Sequence, residues 1–328
     1  MSDFSLYVSL VGGLVLLAIA GDFLVSGAVS LARKMGVSPL VAGILIVGFG
    51  TSAPEMVVTI GAALEGSPAL ALGNIVGSNI ANVWLVLAVP ALIAPIATNG
   101  FGQPRALLFV LLATAAWIGL TSIMPLTPMI GLAFLLGLIV YAIITVTQTL
   151  SASKKGVDVG IDDDEDGVTG FKLWAYLLVG IIGLPLGAHL IVEGGVGIAR
   201  EFDVSEELIG LTLLAIGTSL PELGAGIAAA LRKKSDVVIG NVLGSNVFNL
   251  LGAGGLVSLF GPVEIASGFI NYDYWALGAA ALTLALFIVP RSRISRLAGL
   301  TMMLIYCVYL YGLVSGWNLM ALFGGANG

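Results

Sequence analysis

Two glutamates stand in matching company. Glu55 closes the run Gly50-Thr51-Ser52-Ala53-Pro54-Glu55, and Glu222 closes Gly217-Thr218-Ser219-Leu220-Pro221-Glu222. A second shared run follows each: Gly73-Asn74-Ile75-Val76-Gly77-Ser78-Asn79 after the first, Gly240-Asn241-Val242-Leu243-Gly244-Ser245-Asn246 after the second. Asn82 and Asn249 extend the match. On a helix, Thr51 and Ser52 lie one turn before Glu55 and share its side. Asn74, Ser78 and Asn82 step by four along one face, as do Asn241, Ser245 and Asn249. The donors are carboxylates, hydroxyls and amides, all offering oxygen. Hard cations such as calcium take roughly six to eight such oxygens. No His/Cys cluster offers a site for zinc or copper.

The prolines add backbone oxygens to this set. Pro54 has no N–H, so the carbonyl of Gly50 loses its helical partner, and Pro221 does the same to Gly217. Gly50 and Gly217 loosen the helix further. Carbonyls freed near Thr51 and Thr218 are then available to a cation. Two ionised glutamates carry two negative charges. One calcium ion neutralises them, and so do several sodium ions or protons on the carboxylates.

The elements that must position these groups are membrane spans. The chain has 328 residues, 58% of them hydrophobic and 10% charged, with mean hydropathy +1.08. A soluble domain carries about 25% charged residues. Apolar stretches long enough to span lie near 5–32, 38–64, 69–96, 105–123 and 128–150, then near 171–200, 205–231, 236–262, 273–290 and 294–317. The N-terminus lacks a basic lead, so the first stretch is expected as a retained span. Glu55 and Glu222 fall well inside the second and seventh spans. A carboxylate at that depth costs a few kcal/mol, and an ion, a bonded proton or a water pocket must offset it.

The chain repeats itself at a shift of 167, aligning 22–82 with 189–249 without a gap. Each half has five spans, an odd number, so the second half enters the membrane inverted. The expected fold is an all-α integral membrane protein of ten transmembrane helices, built as two inverted five-helix repeats. Residues 1–150 form the first, 151–170 an acidic linker and 171–328 the second. Inverted repeats of this kind place an ion site near the midplane where the halves meet. With the N-terminus outside, twelve of the thirteen basic residues fall in cytoplasmic loops, Arg200 being the exception. That bias sets both termini outside and the linker inside. The short linker points to a prokaryotic plasma (inner) membrane.

Other features carry less chemistry. Six of the 19 acids lie between Asp158 and Asp166, which explains most of the net charge of −6. Asp162, Asp164, Asp166 and Gly167 fit positions 1, 3, 5 and 6 of an EF-hand loop, but position 12 is Leu173, so the bidentate glutamate is missing. A solvated linker is the expectation. Asp22, His189 and Glu193 are either water-facing residues or part of a gate. Cys307, the single cysteine, is expected in the core. Trp174, Tyr176, Tyr272, Tyr274, Trp275 and Trp317 are expected to anchor span ends at the interface. No basic patch suggests nucleic acid, and nothing calls for a cofactor or an obligatory protein partner beyond the lipid bilayer.

The paired motifs G-T-S-x-P-E and G-N-x-x-G-S-N resemble the alpha repeats of the sodium/calcium exchanger family, within the cation/calcium exchanger superfamily. The stretch Gly21-Asp22-Phe23-Leu24-Val25-Ser26-Gly27-Ala28 also resembles the family's first span. The resemblance covers both halves and implies a diamond of four central ion sites. It implies that Glu55 and Glu222 bind calcium with the carbonyls of Thr51 and Thr218. Ser52, Ser219, Ser78 and Ser245 would serve sodium, with the carbonyl of Ala215; Gly48, opposite Ala215 in the repeat, offers only a carbonyl. Asn82 and Asn249 would complete the middle. The first and sixth spans would slide across the other eight to alternate access. Potassium-dependent relatives carry aspartate where Asn249 stands, so the resemblance implies potassium-independent exchange of three sodium ions for one calcium, which is electrogenic. The linker leaves no room for the large regulatory domains of animal exchangers.

A calcium/proton antiporter on the same fold is the alternative. An intramembrane hydrolase would need a catalytic dyad, yet there is no G-x-S-x-G elbow and His189 has no evident serine partner. A passive channel would show flux without countertransport.

Overall fold

Long apolar runs become helices because lipid leaves backbone groups no partners but one another. The computed structural model describes residues 3–160, 167–202, 215–265 and 268–319. In the first half, α1 spans Asp3–Met35, α2 Pro39–Leu64, α3 Leu70–Ile93, α4 Gln103–Thr121 and α5 Pro128–Lys154. In the second, α6 spans Gly170–Glu201, α7 Leu220–Leu231, α8 Ser235–Leu259, α9 Tyr274–Ile288 and α10 Arg296–Val314. Among the described residues eight of these are long and apolar enough to cross a membrane, while α7 and α9 are shorter. The start of the expected seventh span, 205–214, lies outside the described residues, and so do 161–166, which hold the acidic run.

Helix ends follow local chemistry. Side-chain oxygens of Ser38 and Ser295 accept backbone N–H bonds at the starts of α2 and α10. Gly36, Gly66, Gly156 and Gly316 take left-handed backbone just past α1, α2, α5 and α10, with φ of 69°, 75°, 73° and 66°.

Small residues bring the helices together. Gly180, Gly187 and Gly194, seven residues apart, line the face of α6 against α1; a Cβ on Gly194 would stand 2.7 Å from the backbone of Leu10. The approach of α2 to α8 is closer still. A Cβ on Gly240 would meet the carbonyl oxygen of Leu40 at 2.5 Å, and one on Gly244 that of Ile44 at 2.5 Å. Membrane helices use such contacts to gain dispersion energy where lipid supplies no hydrophobic drive.

Loops pair at two places. The strands β1, Ile96–Ala97, and β2, Arg293–Ile294, join the connection after α3 to the one after α9. Leu126 and Val263 exchange backbone hydrogen bonds at 2.9 and 2.8 Å, joining the connection after α4 to the one after α8.

Two expectations are corrected. Cys307 is exposed on α10 instead of buried; an apolar residue facing lipid loses nothing by exposure. Tyr272 and Tyr274 are buried, because each hydroxyl finds an internal partner. Tyr272 donates to the carbonyl of Tyr309 at 2.8 Å, and the Tyr274 hydroxyl lies 2.6 Å from Thr121 Oγ1. Trp174, Trp275 and Trp317 are exposed, as interfacial anchors would be.

Candidate ion-binding site

The two proline motifs fold differently. Pro54 sits inside a continuous helical stretch, Phe49–Leu64, preceded by a π-helical segment, Gly43–Gly48. The second copy breaks: Ala215–Gly217 is helical, Thr218 and Ser219 form a turn, and Pro221 opens α7. Proline is tolerated in a first turn because its missing N–H is unneeded there. Its first-repeat counterpart lies in a helix interior, where it leaves the carbonyl of Gly50 without its N–H partner.

Further π-helical segments mark the same region. Asn82 begins one, Asn82–Val86, and Asn249 lies in another, Phe248–Ala253. A π turn inserts one residue into the helix and redirects the groups around it, and such turns gather at functional sites.

The glycine-to-glycine contact of α2 with α8 lets the motifs meet. Thr51 Oγ1 donates to the carbonyl of Val47 at 2.9 Å and approaches Asn241 Oδ1 at 3.4 Å. Ser245 Oγ donates to the carbonyl of Gly48 at 3.4 Å. Ser52 Oγ donates to Glu222 Oε1 at 3.0 Å. Each of these last three contacts joins one repeat to the other.

Amides brace both glutamates from behind. Asn74 Nδ2 donates to the carbonyl of Glu55 at 3.3 Å, and Asn241 Nδ2 to that of Glu222 at 3.0 Å. Asn74 also donates to Thr59 Oγ1 at 2.9 Å. Sequence reasoning placed Asn74 and Asn241 on the right face but missed this bracing, and it missed Thr59 altogether. Thr59 is fully buried one turn after Glu55, and that spacing was the available signal.

Buried oxygens remain without protein partners. Both carboxylate oxygens of Glu55, Oε2 of Glu222 and Oγ of Ser219 are buried and unbonded. So are both amide atoms of Asn82 and of Asn249. Burying such groups unpaired is costly, and a carboxylate most of all. A cation held among them would satisfy that need. Among the described residues no three of His, Cys, Asp and Glu gather as a metal cluster; a cation here would meet two carboxylates and otherwise neutral oxygen.

Of the residues expected at the site, Thr51, Ser52, Glu55, Ser78, Asn82, Ser219, Glu222, Ser245 and Asn249 are all buried. Gly48 faces α8 through its carbonyl. Thr218 is half-buried in the break before α7, and Ala215 begins the turn ahead of it. Asp22, His189 and Glu193 stand apart. His189 and Glu193 are exposed on α6, and Asp22 is held by Arg232 in a two-pronged ion pair at 2.6 and 2.8 Å.

Known proteins agree with this architecture. The family model described as sodium/calcium exchanger protein matches residues 5–147 and 172–315. The chain is 34% identical over 317 residues to the putative antiporter CaxA of Alkalimonas amylolytica, covering 92% of this chain and 97% of that one. It is 30% identical to the sodium/calcium exchanger MaX1 of Methanosarcina acetivorans, covering 91% and 95%. A solved structure of the sodium-calcium exchanger NCX_Mj superposes with TM-score 0.78 at 32% identity, covering 95% of this chain and 99% of that one.

Proposed function

The chain belongs to the sodium/calcium exchanger protein family, and from that premise we propose that it exchanges sodium for calcium across the membrane by alternating access, electrogenically and without potassium. The observation that carries this reading is the pair of buried glutamates, one from each repeat, with carboxylate oxygens left unbonded. Two negative charges among neutral oxygens match one calcium ion.

The roles follow from chemistry. Glu55 and Glu222 hold calcium with the carbonyls of Thr51 and Thr218. Ser52, Ser219, Ser78 and Ser245 hold sodium, together with the carbonyls of Ala215 and Gly48. Asn82 and Asn249 fill the middle with neutral amides, so neither adds a charge for potassium or a proton to balance. Calcium and sodium take turns because the two glutamate charges that calcium neutralises are balanced by the sodium ions once calcium has left.

The ten-helix inverted arrangement belongs to this proposal. The mirrored amide braces at Glu55 and Glu222 support it. The loop pairings fit it too, since each joins connections that the inverted topology puts on one side. With the basic residues concentrated in the odd connections, both termini lie outside and the 151–170 linker faces the cytoplasm of the plasma membrane.

Purified protein in vesicles loaded with sodium tests the reading by calcium-45 uptake. A sodium gradient should drive uptake, whereas potassium or pH gradients alone should not. Uptake driven by the pH gradient alone would assign calcium/proton exchange instead.

A further inference from the structure

A cavity of about 320 Å³ opens where α3, α7 and α8 end near the β1–β2 pair. Its wall is apolar on one side, formed by Ala94, Pro95 and Ala97 over the buried side chains of Ile96, Ala230 and Val238, and its rim carries Lys233 and Arg293. Among the described residues neither cation has an acidic partner, whereas the adjacent Arg232 pairs with Asp22. Cations beside an apolar wall at a helix end, on the rim of a membrane protein, match the two halves of a lipid.

Backbone geometry gives independent weight. Lys233 takes a left-handed conformation, φ 57°, just past the end of α7, and Arg291 does so, φ 53°, just past α9. Such positions favour glycine, because a Cβ crowds the carbonyl there. The chain uses glycine at the ends of α1, α2, α5 and α10. The repeat makes the contrast sharper. Lys233 is the counterpart of Gly66, which makes the same left-handed turn after α2 with φ 75°. One repeat therefore fills this turn with the residue that suits it, and the other with a lysine beside the cavity. Arg291, the second such exception, lies two residues before Arg293 on the same connection.

We propose that this cavity binds an anionic phospholipid, its phosphate held by Lys233 and Arg293 and an acyl chain laid along Ala94, Pro95 and Ala97. The apolar wall selects a lipid over a free anion, and basic pockets between helix ends are suited to such headgroups. The site lies outside the ion-binding residues and does not depend on which ions are exchanged.

Native mass spectrometry of the detergent-purified protein tests the proposal, with phosphatidylglycerol, phosphatidylcholine and inorganic phosphate added in turn. The wild type should retain phosphatidylglycerol in preference to phosphatidylcholine. The double variant Lys233→Gly/Arg293→Gln should bind it about tenfold or more weakly, with each single variant in between. Glycine suits the left-handed turn, as Gly66 shows, so the variant should keep its thermal stability and sodium-driven calcium uptake. Inorganic phosphate at matched concentration should not displace the lipid. Equal phosphatidylglycerol retention by wild type and double variant overturns the site. Displacement by inorganic phosphate overturns the lipid in favour of a soluble anion.

Discussion

Ser52 reaches across the repeats to donate a 3.0 Å hydrogen bond to Glu222, whereas Ser219, its repeat counterpart, has a buried hydroxyl with no partner. The two halves share a sequence motif but hold it in different states. The unbroken helix around Pro54 aims Ser52 at the opposite carboxylate, while the break before Pro221 leaves Ser219 free of it. This asymmetry separates the roles of two residues that look equivalent.

Ser52→Ala should lower thermal stability, because it removes a donor from a buried carboxylate. Bonds to charged groups contribute roughly 1.5–3 kcal/mol. Ser219→Ala removes no such bond and should leave the unfolding temperature near that of the wild type, while raising the sodium concentration needed for half-maximal exchange. Unfolding curves and sodium titrations of both variants check this pair. An unchanged sodium dependence in Ser219→Ala would remove that hydroxyl from the sodium site.

The α2–α8 contact makes a second test by symmetry. A Cβ on Gly244 would stand 2.5 Å from the carbonyl oxygen of Ile44, whereas nothing lies within 4 Å of one on its counterpart Gly77. Gly244→Ala should force the helices apart, costing about 1–3 kcal/mol and most of the transport rate. Gly77→Ala should be harmless or slightly stabilising. Comparable losses in both would mean that the contact does not position the site.

Potassium should be dispensable, since Asn82 and Asn249 are both amides. Sodium-driven calcium uptake should persist with potassium removed from both sides. Asn249→Asp adds a carboxylate beside the site and should introduce a potassium or pH response without unfolding the protein. A wild type that stops when potassium is withdrawn contradicts this assignment.

Exchange should respond to voltage. Three sodium ions leaving a vesicle as one calcium ion enters export one positive charge per cycle. A potential acts on that charge with about 2.3 kcal/mol per 100 mV. Inside-positive potential, clamped with potassium and valinomycin, should therefore speed calcium uptake into sodium-loaded vesicles, and inside-negative potential should slow it. Indifference to potential would point to two sodium ions or two protons per calcium.

Much of this was legible in the sequence because both strong signals survive without tertiary context. Uninterrupted apolar runs report helices wherever lipid forbids other backbone structure, and a motif repeated around Glu55 and Glu222 marks polar residues that burial makes expensive. The steps of four from Asn74 to Asn82 and from Asn241 to Asn249 put those amides on one face before any coordinates. What stayed hidden depends on contacts between distant segments. Nothing local to Cys307 says that its side faces lipid. Tyr272 and Tyr274 look like interfacial anchors until the partners Tyr309 and Thr121 are known. Nothing local to Asp22 says that Arg232, 210 positions away, pairs with it. The different settings of Pro54, inside a helix, and Pro221, in a first turn, have no local sequence signature.

The central claim is that one glutamate from each half holds the calcium that sodium displaces. It is tested most directly by calcium-45 uptake into sodium-loaded vesicles containing wild type, Glu55→Gln or Glu222→Gln, with insertion of each protein verified. The account predicts rapid uptake by the wild type that collapses when sodium is equal on both sides, and no uptake above background in either variant. Sodium-driven uptake at the wild-type rate in either properly inserted variant would contradict it.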